Sequence, residues 1–225
     1  MNPTHRNTQD MRLLDALAAN NSSTRLEAAL ALGTRPEPDF AEALIERCGI
    51  EPDFFVRDML TWALTRLPAQ VTVPKLRAQL GSDRPQARSQ ALHTLSKIGD
   101  RSAWPAITRS LLHDADDDVA RSAWRAAVVL VPEGEKEALA DALATQFGRG
   151  DREVRLSLSR ALVALGEIVE PVLRTAMTNP DPVVRAHARA TDVLLRDPDA
   201  GFDLAIGEAR RVRALGPDRE ESTAC

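Results

Sequence analysis

The chain has 225 residues, 44% of them hydrophobic, and its 29 basic and 33 acidic side chains interleave to a formal net charge of -4. That length suits one ordinary domain or one short array of repeats, and the charge excludes the strongly basic surface of a general nucleic-acid binder. No apolar run approaches the roughly 18 residues of a membrane span, and the polar first ten residues lack the apolar core of a secretory signal.

Other bulk features add context. Only three of the basic residues are Lys (Lys75, Lys97, Lys136), the Arg-rich usage of GC-rich bacterial coding. Cys48 and Cys225 are the two cysteines, and their placement points to a reducing, cytoplasmic setting without a structural disulfide.

In chain order, residues 1–9 are polar and read as a disordered N-terminus. Asp10 caps a helix through about residue 19, and residues 24–32 form its partner, ended by Gly33, Pro36 and Pro38. A second pair covers 39–48 and 53–67. A third covers 73–80 and 85–98, a fourth 103–113 and 118–130, a fifth 136–147 and 152–165, and a sixth 169–177 and 182–195. A last amphipathic helix over 200–215 closes the open end, and 216–225 reads as a disordered tail. Residues 10–215 are expected to form a single domain.

The second helices share a motif. Arg25, Arg57, Arg88, Arg121, Arg155 and Arg185 recur at spacings of 32, 31, 33, 34 and 30 residues. Recurrence near thirty residues marks a stacked-repeat architecture. Three residues after each Arg stand Ala28, Leu60, Ala91, Trp124, Leu158 and Ala188. Seven after stand Leu32, Leu64, Leu95, Val128, Leu162 and, as the exception, Asp192. These offsets share one helix face with the residue before each Arg. One helix pair cannot bury that stripe, whereas stacked pairs can. Pro74, Pro105 and Pro171 are expected in the first turns of outer helices, where amides have no helical acceptor.

Asp-x-x-x-Arg at Asp53/Arg57, Asp117/Arg121, Asp151/Arg155 and Asp181/Arg185, the Ala-Leu steps at Ala63 and Ala161, and the helix-ending Gly99 and Gly166 together resemble HEAT repeats. The resemblance is to the phycobilisome-lyase HEAT-like type within the armadillo-like helical superfamily, over about 11–196. It implies an all-α, right-handed α-solenoid of about six HEAT-like helix pairs plus a C-terminal capping helix. The third repeat departs, with Asp83 five residues before Arg88, and the first has Asn21 in place of Asp.

The Asp and Arg columns read as a structural ladder: Asp53, Arg57, Arg88, Asp117, Arg121, Asp151, Arg155, Asp181 and Arg185. Each Asp caps its helix, and each Arg reaches carboxylates or carbonyls of its own and the adjacent repeat. Six-fold recurrence argues for structure, since a catalytic site is needed once. No catalytic, cofactor-binding or metal-binding residue is assigned. His5, His93, His113 and His187 have no metal-ligand spacing. HEAT-repeat hydroxylases bind iron through His-Glu dipeptides, and none occurs here. Trp124 falls in the core column. Trp62, Thr61, His93, Arg125, Arg160 and Arg189 fall at offsets expected to face an inner groove, and are the candidate partner-binding residues.

The expected function is a non-catalytic interaction scaffold or adaptor, a probable monomer that holds a protein or peptide in a concave groove of second helices. The arginines suit a partner with an acidic segment. The alternative is an enzyme or nucleic-acid binder on similar repeats, such as an alkylpurine DNA glycosylase or a phycobilin lyase.

Overall fold

A computed structural model describes residues 3–197, with side chains from residue 8 onward. The expected closing helix over 200–215 and the tail over 216–225 lie outside the described residues. Among these residues the structure is all-α, and the chain divides into two compact units, residues 1–132 and 133–225. The division falls where Pro132 forces the preceding residue out of helical backbone: Val131 is extended (φ -60°, ψ 132°).

Unit 1 contains four helix pairs. They are α1 (Pro3–Ala16) with α2 (Ser22–Thr34), α3 (Ala41–Cys48) with α4 (Phe54–Thr65), α5 (Ala69–Gln79) with α6 (Pro85–Ile98), and α7 (Arg109–Leu112) with α8 (Asp117–Leu130). The second helices pack side by side, α2 on α4, α4 on α6 and α6 on α8. Among its described residues unit 2 contains two pairs, α9 (Lys136–Ala144) with α10 (Arg152–Val163) and α11 (Glu170–Met177) with α12 (Pro182–Arg196). There α12 packs on both α10 and α11, and Leu156, Ala190 and Leu194 form a buried cluster backed by Val163.

Several outer helices differ from expectation. The first helix begins at Pro3, ahead of Asp10, so the helical pattern covers residues 3–9 that were read as disordered. Pro74 lies inside α5, not in its first turn. It has no amide to donate, and its side chain is exposed, so the ring and the freed carbonyl meet solvent. The fourth outer helix is broken in two, a 3-10 segment at Arg101–Ala106 containing Pro105 and then the single turn of α7. Pro171 does stand at the start of α11.

The second helices are built to one scheme. A side chain caps the first amides of α2 (Asn21), α4 (Asp53), α8 (Asp116), α10 (Asp151) and α12 (Asp181). Each such cap is worth about 1 kcal/mol. In α8 the cap is Asp116 and not Asp117: its Oδ1 accepts from Asp118 and Val119 N–H, both at 3.0 Å. The frame of α8 is therefore shifted by one residue against its arginine. Three, seven and eleven residues after the cap stand Val56, Leu60 and Leu64 in α4, then Ala87, Ala91 and Leu95 in α6. The same places in α8 hold Val119, Ala123 and Ala127, and in α10 Val154, Leu158 and Leu162, all buried. Val128, expected in the core from Arg121, is only half-buried for this reason. Trp124 is fully buried as expected, and its Nε1 donates to the Leu112 carbonyl at 2.9 Å.

Two residues before the cap stands a second acceptor. Glu51, Ser82, Asp114 and Asn179 each take the cap residue's own N–H, at 2.9, 3.3, 3.0 and 2.9 Å. The column arginine then folds back over this turn. Nη1 of Arg25 donates to the carbonyls of Ala19 and Asn20, and Nη1 of Arg57 to those of Glu51 and Pro52. Arg185 does the same to Asn179 and Pro180, and Arg88 to Ser82. These carbonyls close the four hairpins; that of Glu51 also accepts from Gln86 Nε2 at 2.7 Å.

The carboxylate partners of the ladder are not the caps. Arg25 forks onto Glu51 with two bonds of 2.7 Å, and Arg88 onto Asp114 with two of 3.0 Å. Both acids lie in the turn of the next repeat, so these bonds tie repeats together. Arg121, out of frame, meets Asp118 at 3.6 Å, and the Nε atoms of Arg121 and Arg155 are buried without a hydrogen-bond partner.

Candidate partner-binding cleft

In unit 1 the second helices α4, α6 and α8 line an open cleft of about 400 Å³. The lining repeats with the helical period. Residues four apart share a stripe, so Phe54, Asp58 and Trp62 run along one side of α4. Ser89 and His93 do so on α6, and Arg121 and Arg125 on α8. Of these, Phe54, Asp58, Ser89, His93, Arg121 and Arg125 line the cleft itself.

Small hydroxyls let α6 and α8 approach closely at its floor. Ser89 and Ser122 are buried, their Oγ atoms 3.0 Å apart, and Ser89 Oγ also donates to the Asp118 carbonyl at 3.3 Å. Above that floor stand the charges. Arg125 donates to Ser122 Oγ at 3.1 Å. Burial and then the neighbouring Arg121 cation lower its pKa, with Asp118 opposing. His93 is half-buried, and burial, Arg125 and Lys97 all hold its pKa below the usual histidine value against the pull of Asp58. Its ring makes no hydrogen bond among the described residues, so no nucleophile–base pair is set up here.

A serine–histidine contact exists in unit 2, but its geometry is structural. Nε2 of His187 lies 3.1 Å from Ser159 Oγ and 2.9 Å from the Arg155 carbonyl, while Nδ1 accepts from Gly148 N–H at 3.0 Å. The proton therefore sits on Nε2, which donates to the carbonyl and cannot act as a base toward Ser159. The Phe147 ring stands edge-on at 5.0 Å, and burial drives the His187 pKa down to about 4.

The sequence-expected residues are distributed unevenly. His93 and Arg125 line the cleft. Thr61 also borders it but is only 3% exposed, so it is not available to a partner as expected. It stands eight residues after its cap, where α6 carries buried Leu92 and α10 buried Ser159. Trp62 is 37% exposed and leans from α4 onto α2, its ring lying directly over Gly33. Arg160 on α10 and Arg189 on α12 are exposed in unit 2. Phe54, which is 66% exposed at the cleft edge, was missed although it stands four residues before Asp58 on the same stripe, because it precedes the column arginine. Glu51 and Asp114 were missed as well, though each lies 26 residues past a column arginine.

Residues 56–128, from α4 through α8, match a family model described as HEAT repeats. This stretch is built of HEAT repeats. The matched HEAT stretch includes all of α6 and most of α4 and α8, the three helices that line the cleft. A solved structure titled the complex of CpcE and CpcF of phycocyanin lyase, from Nostoc sp. PCC7120, is similar at 18% identity. The similarity covers 93% of this chain and 90% of that one, with a TM-score of 0.49. No curated protein matches. Among the described residues no His, Cys, Asp and Glu cluster of three or more is placed to hold a metal ion, and no helix is long and apolar enough to cross a membrane.

Proposed function

We propose that the protein is a non-catalytic scaffold that holds a partner protein or peptide against the second helices of unit 1. The observation that carries this reading is the open cleft across three consecutive HEAT second helices, exposing Phe54, Asp58 and Arg125 above a floor where Ser89 and Ser122 bond to each other. Side chains that the fold has no use for are the ones left facing outward, which is the distribution a binding surface needs. The titratable groups support the same reading. Among the described residues the His93 ring bonds no hydroxyl or thiol, and the His187–Ser159 contact is held in a non-basic tautomer.

The test is site-specific photocrosslinking in the source cell. A photoreactive side chain at Asp58 or Arg125 should yield discrete crosslinked partners, and one at the exposed Arg77 on α5 should not. Adducts from Arg77 alone would move the binding face elsewhere, and none from any position would remove the scaffold reading. As a check on the enzymatic alternative, the protein should not retard plain or alkylated duplex DNA at low salt.

A further inference from the structure

We propose that the unit 1 cleft takes a peptide segment of a partner protein bearing an aromatic or large aliphatic side chain at one end and paired carboxylates at the other. This rests on the scaffold reading and adds the chemistry of the occupant and its direction.

The cleft is polarised from α4 to α8. On α4, Phe54 stands at the cleft edge as an exposed ring, while Trp62, two turns on, leans onto α2. Phe54 is held in place, edge-on to Phe55 at 5.7 Å and with the Arg57 guanidinium 5.9 Å from its centroid. Fixed aromatic rings cost little entropy to engage, which suits them to anchor a ligand. On α8, Arg121 and Arg125 stand one turn apart as a like-charged pair, an arrangement that repels. Their carboxylate support is thin. Asp116 Oδ1 is taken by two backbone amides, and Asp118 meets Arg121 at 3.6 Å and acts on Arg125 only through space. Arg125 has Ser122 Oγ alone. A pair of carboxylates supplied from outside would neutralise both guanidiniums with strong, charge-assisted bonds.

The dimensions set the segment. Neighbouring packed helices lie about 8–10 Å apart, so α4 and α8, with α6 between them, are separated by about 20 Å. An extended chain covers that in about six residues. The same geometry disfavours a nucleic acid. Asp58 stands on α4 away from the arginines of α8, and a continuous phosphate chain spanning the cleft would have to cross it. A segment with an apolar end and a localised acidic end meets each group once.

The experiment is selection of a random dodecamer peptide display library on the full chain, with counter-selection on Arg121→Glu/Arg125→Glu. Winners are then measured as labelled synthetic peptides by fluorescence anisotropy. Enriched peptides should carry two Asp or Glu about five to seven residues from an aromatic or large aliphatic residue. Their affinity should fall at least about tenfold on the double charge reversal, and similarly on replacing their acids by amides. Phe54→Ser should weaken them without changing the requirement for acids. Arg121→Gln/Arg125→Gln is the milder variant, and circular dichroism confirms that each variant is folded. Winners without carboxylates, or winners indifferent to the reversal, overturn this proposal while crosslinking from the cleft keeps the scaffold reading. Sedimentation showing a wild-type dimer that the reversal dissociates would assign the cleft to a second copy and overturn it too. So would single-stranded RNA binding that competes with the winners. No winners at all also counts against it.

Discussion

Glu51 holds two guanidiniums, Arg25 and Arg47, in a site where its own side chain has no exposure. Burial by itself would raise its pKa. The bonds from Arg25, the Asp53 amide and Arg47 outweigh that and bring it down from 4.5 to about 2. A carboxylate with a depressed folded pKa contributes stability that is complete above its unfolded value and is lost as pH falls toward the folded one. Glu51 should therefore supply about 3 kcal/mol above pH 4.5 that disappears on approach to pH 2. Replacing it leaves Arg25 buried and unpaired, so Glu51→Gln should cost unit 1 about 3–5 kcal/mol at pH 7 in urea unfolding followed by Trp emission. The gap to wild type should narrow as pH falls toward 2. Equal stability of the two proteins at pH 7 would show that the buried pair does not hold the repeats together.

At the scale of the element, the cap position in α8 is a sharp test of frame. Asp116→Ala should cost about 1 kcal/mol, and Asp117→Ala distinctly less, in the same urea titration. The reverse order would place the cap where the Asp-x-x-x-Arg spacing first put it. That spacing explains what was legible in the sequence. The buried columns follow from helical periodicity, and in α4, α6 and α10 the arginine and the core frame agree, so the stack could be read without coordinates. In α8 the arginine sits one residue further from its cap, and only the acceptor pair Asp114 and Asp116, matching Glu51 and Asp53, reveals the slip. Thr61 was misplaced because neighbouring residues on α4 differ by 100° in direction, enough to turn it inward while Trp62 stays half-exposed. Phe54 was missed because the inner face was counted forward from each arginine, and Phe54 stands three residues before Arg57. The approach of α2 to α4 depends on Gly33. A methyl there would meet the Trp62 ring at 2.3 Å and the Ala63 Cα at 2.9 Å. Gly33→Ala should lower stability by about 1–3 kcal/mol and shift Trp62 emission to the red as the ring is pushed into water. An unchanged spectrum would mean that the two helices separate slightly and keep the ring covered.

Across the whole molecule, the two units answer acid through different groups. His187 in unit 2 is buried neutral, its pKa lowered from 6.5 to about 4. Above pH 6.5 it is neutral folded or unfolded. Below that the unfolded form takes up the proton first, so about 3 kcal/mol of unit 2 stability is lost between pH 6.5 and 4. The Glu51 contribution in unit 1 survives to lower pH. All three tryptophans, Trp62, Trp104 and Trp124, lie in unit 1. Acid titration should thus show helix loss by circular dichroism beginning at higher pH than the change in Trp emission, since two-state coincidence fails when parts unfold separately. His187→Gln should flatten the dichroism change between pH 6.5 and 4 and leave the emission curve in place. Coincident curves in both proteins would mean that the units unfold together.

The back-folded arginine closes the bend of its own hairpin with atoms from that hairpin alone. Such a bend carries its own closing bonds, and at Arg25 and Arg88 the same side chain also reaches a carboxylate of the next repeat. A gene that duplicates one such hairpin in frame adds a corner already closed, which asks of its neighbours an oily face and, at positions like Arg25 and Arg88, one carboxylate. Arrays of this kind can lengthen by copying, while a partner-binding face is edited separately on the few outward positions that no corner uses.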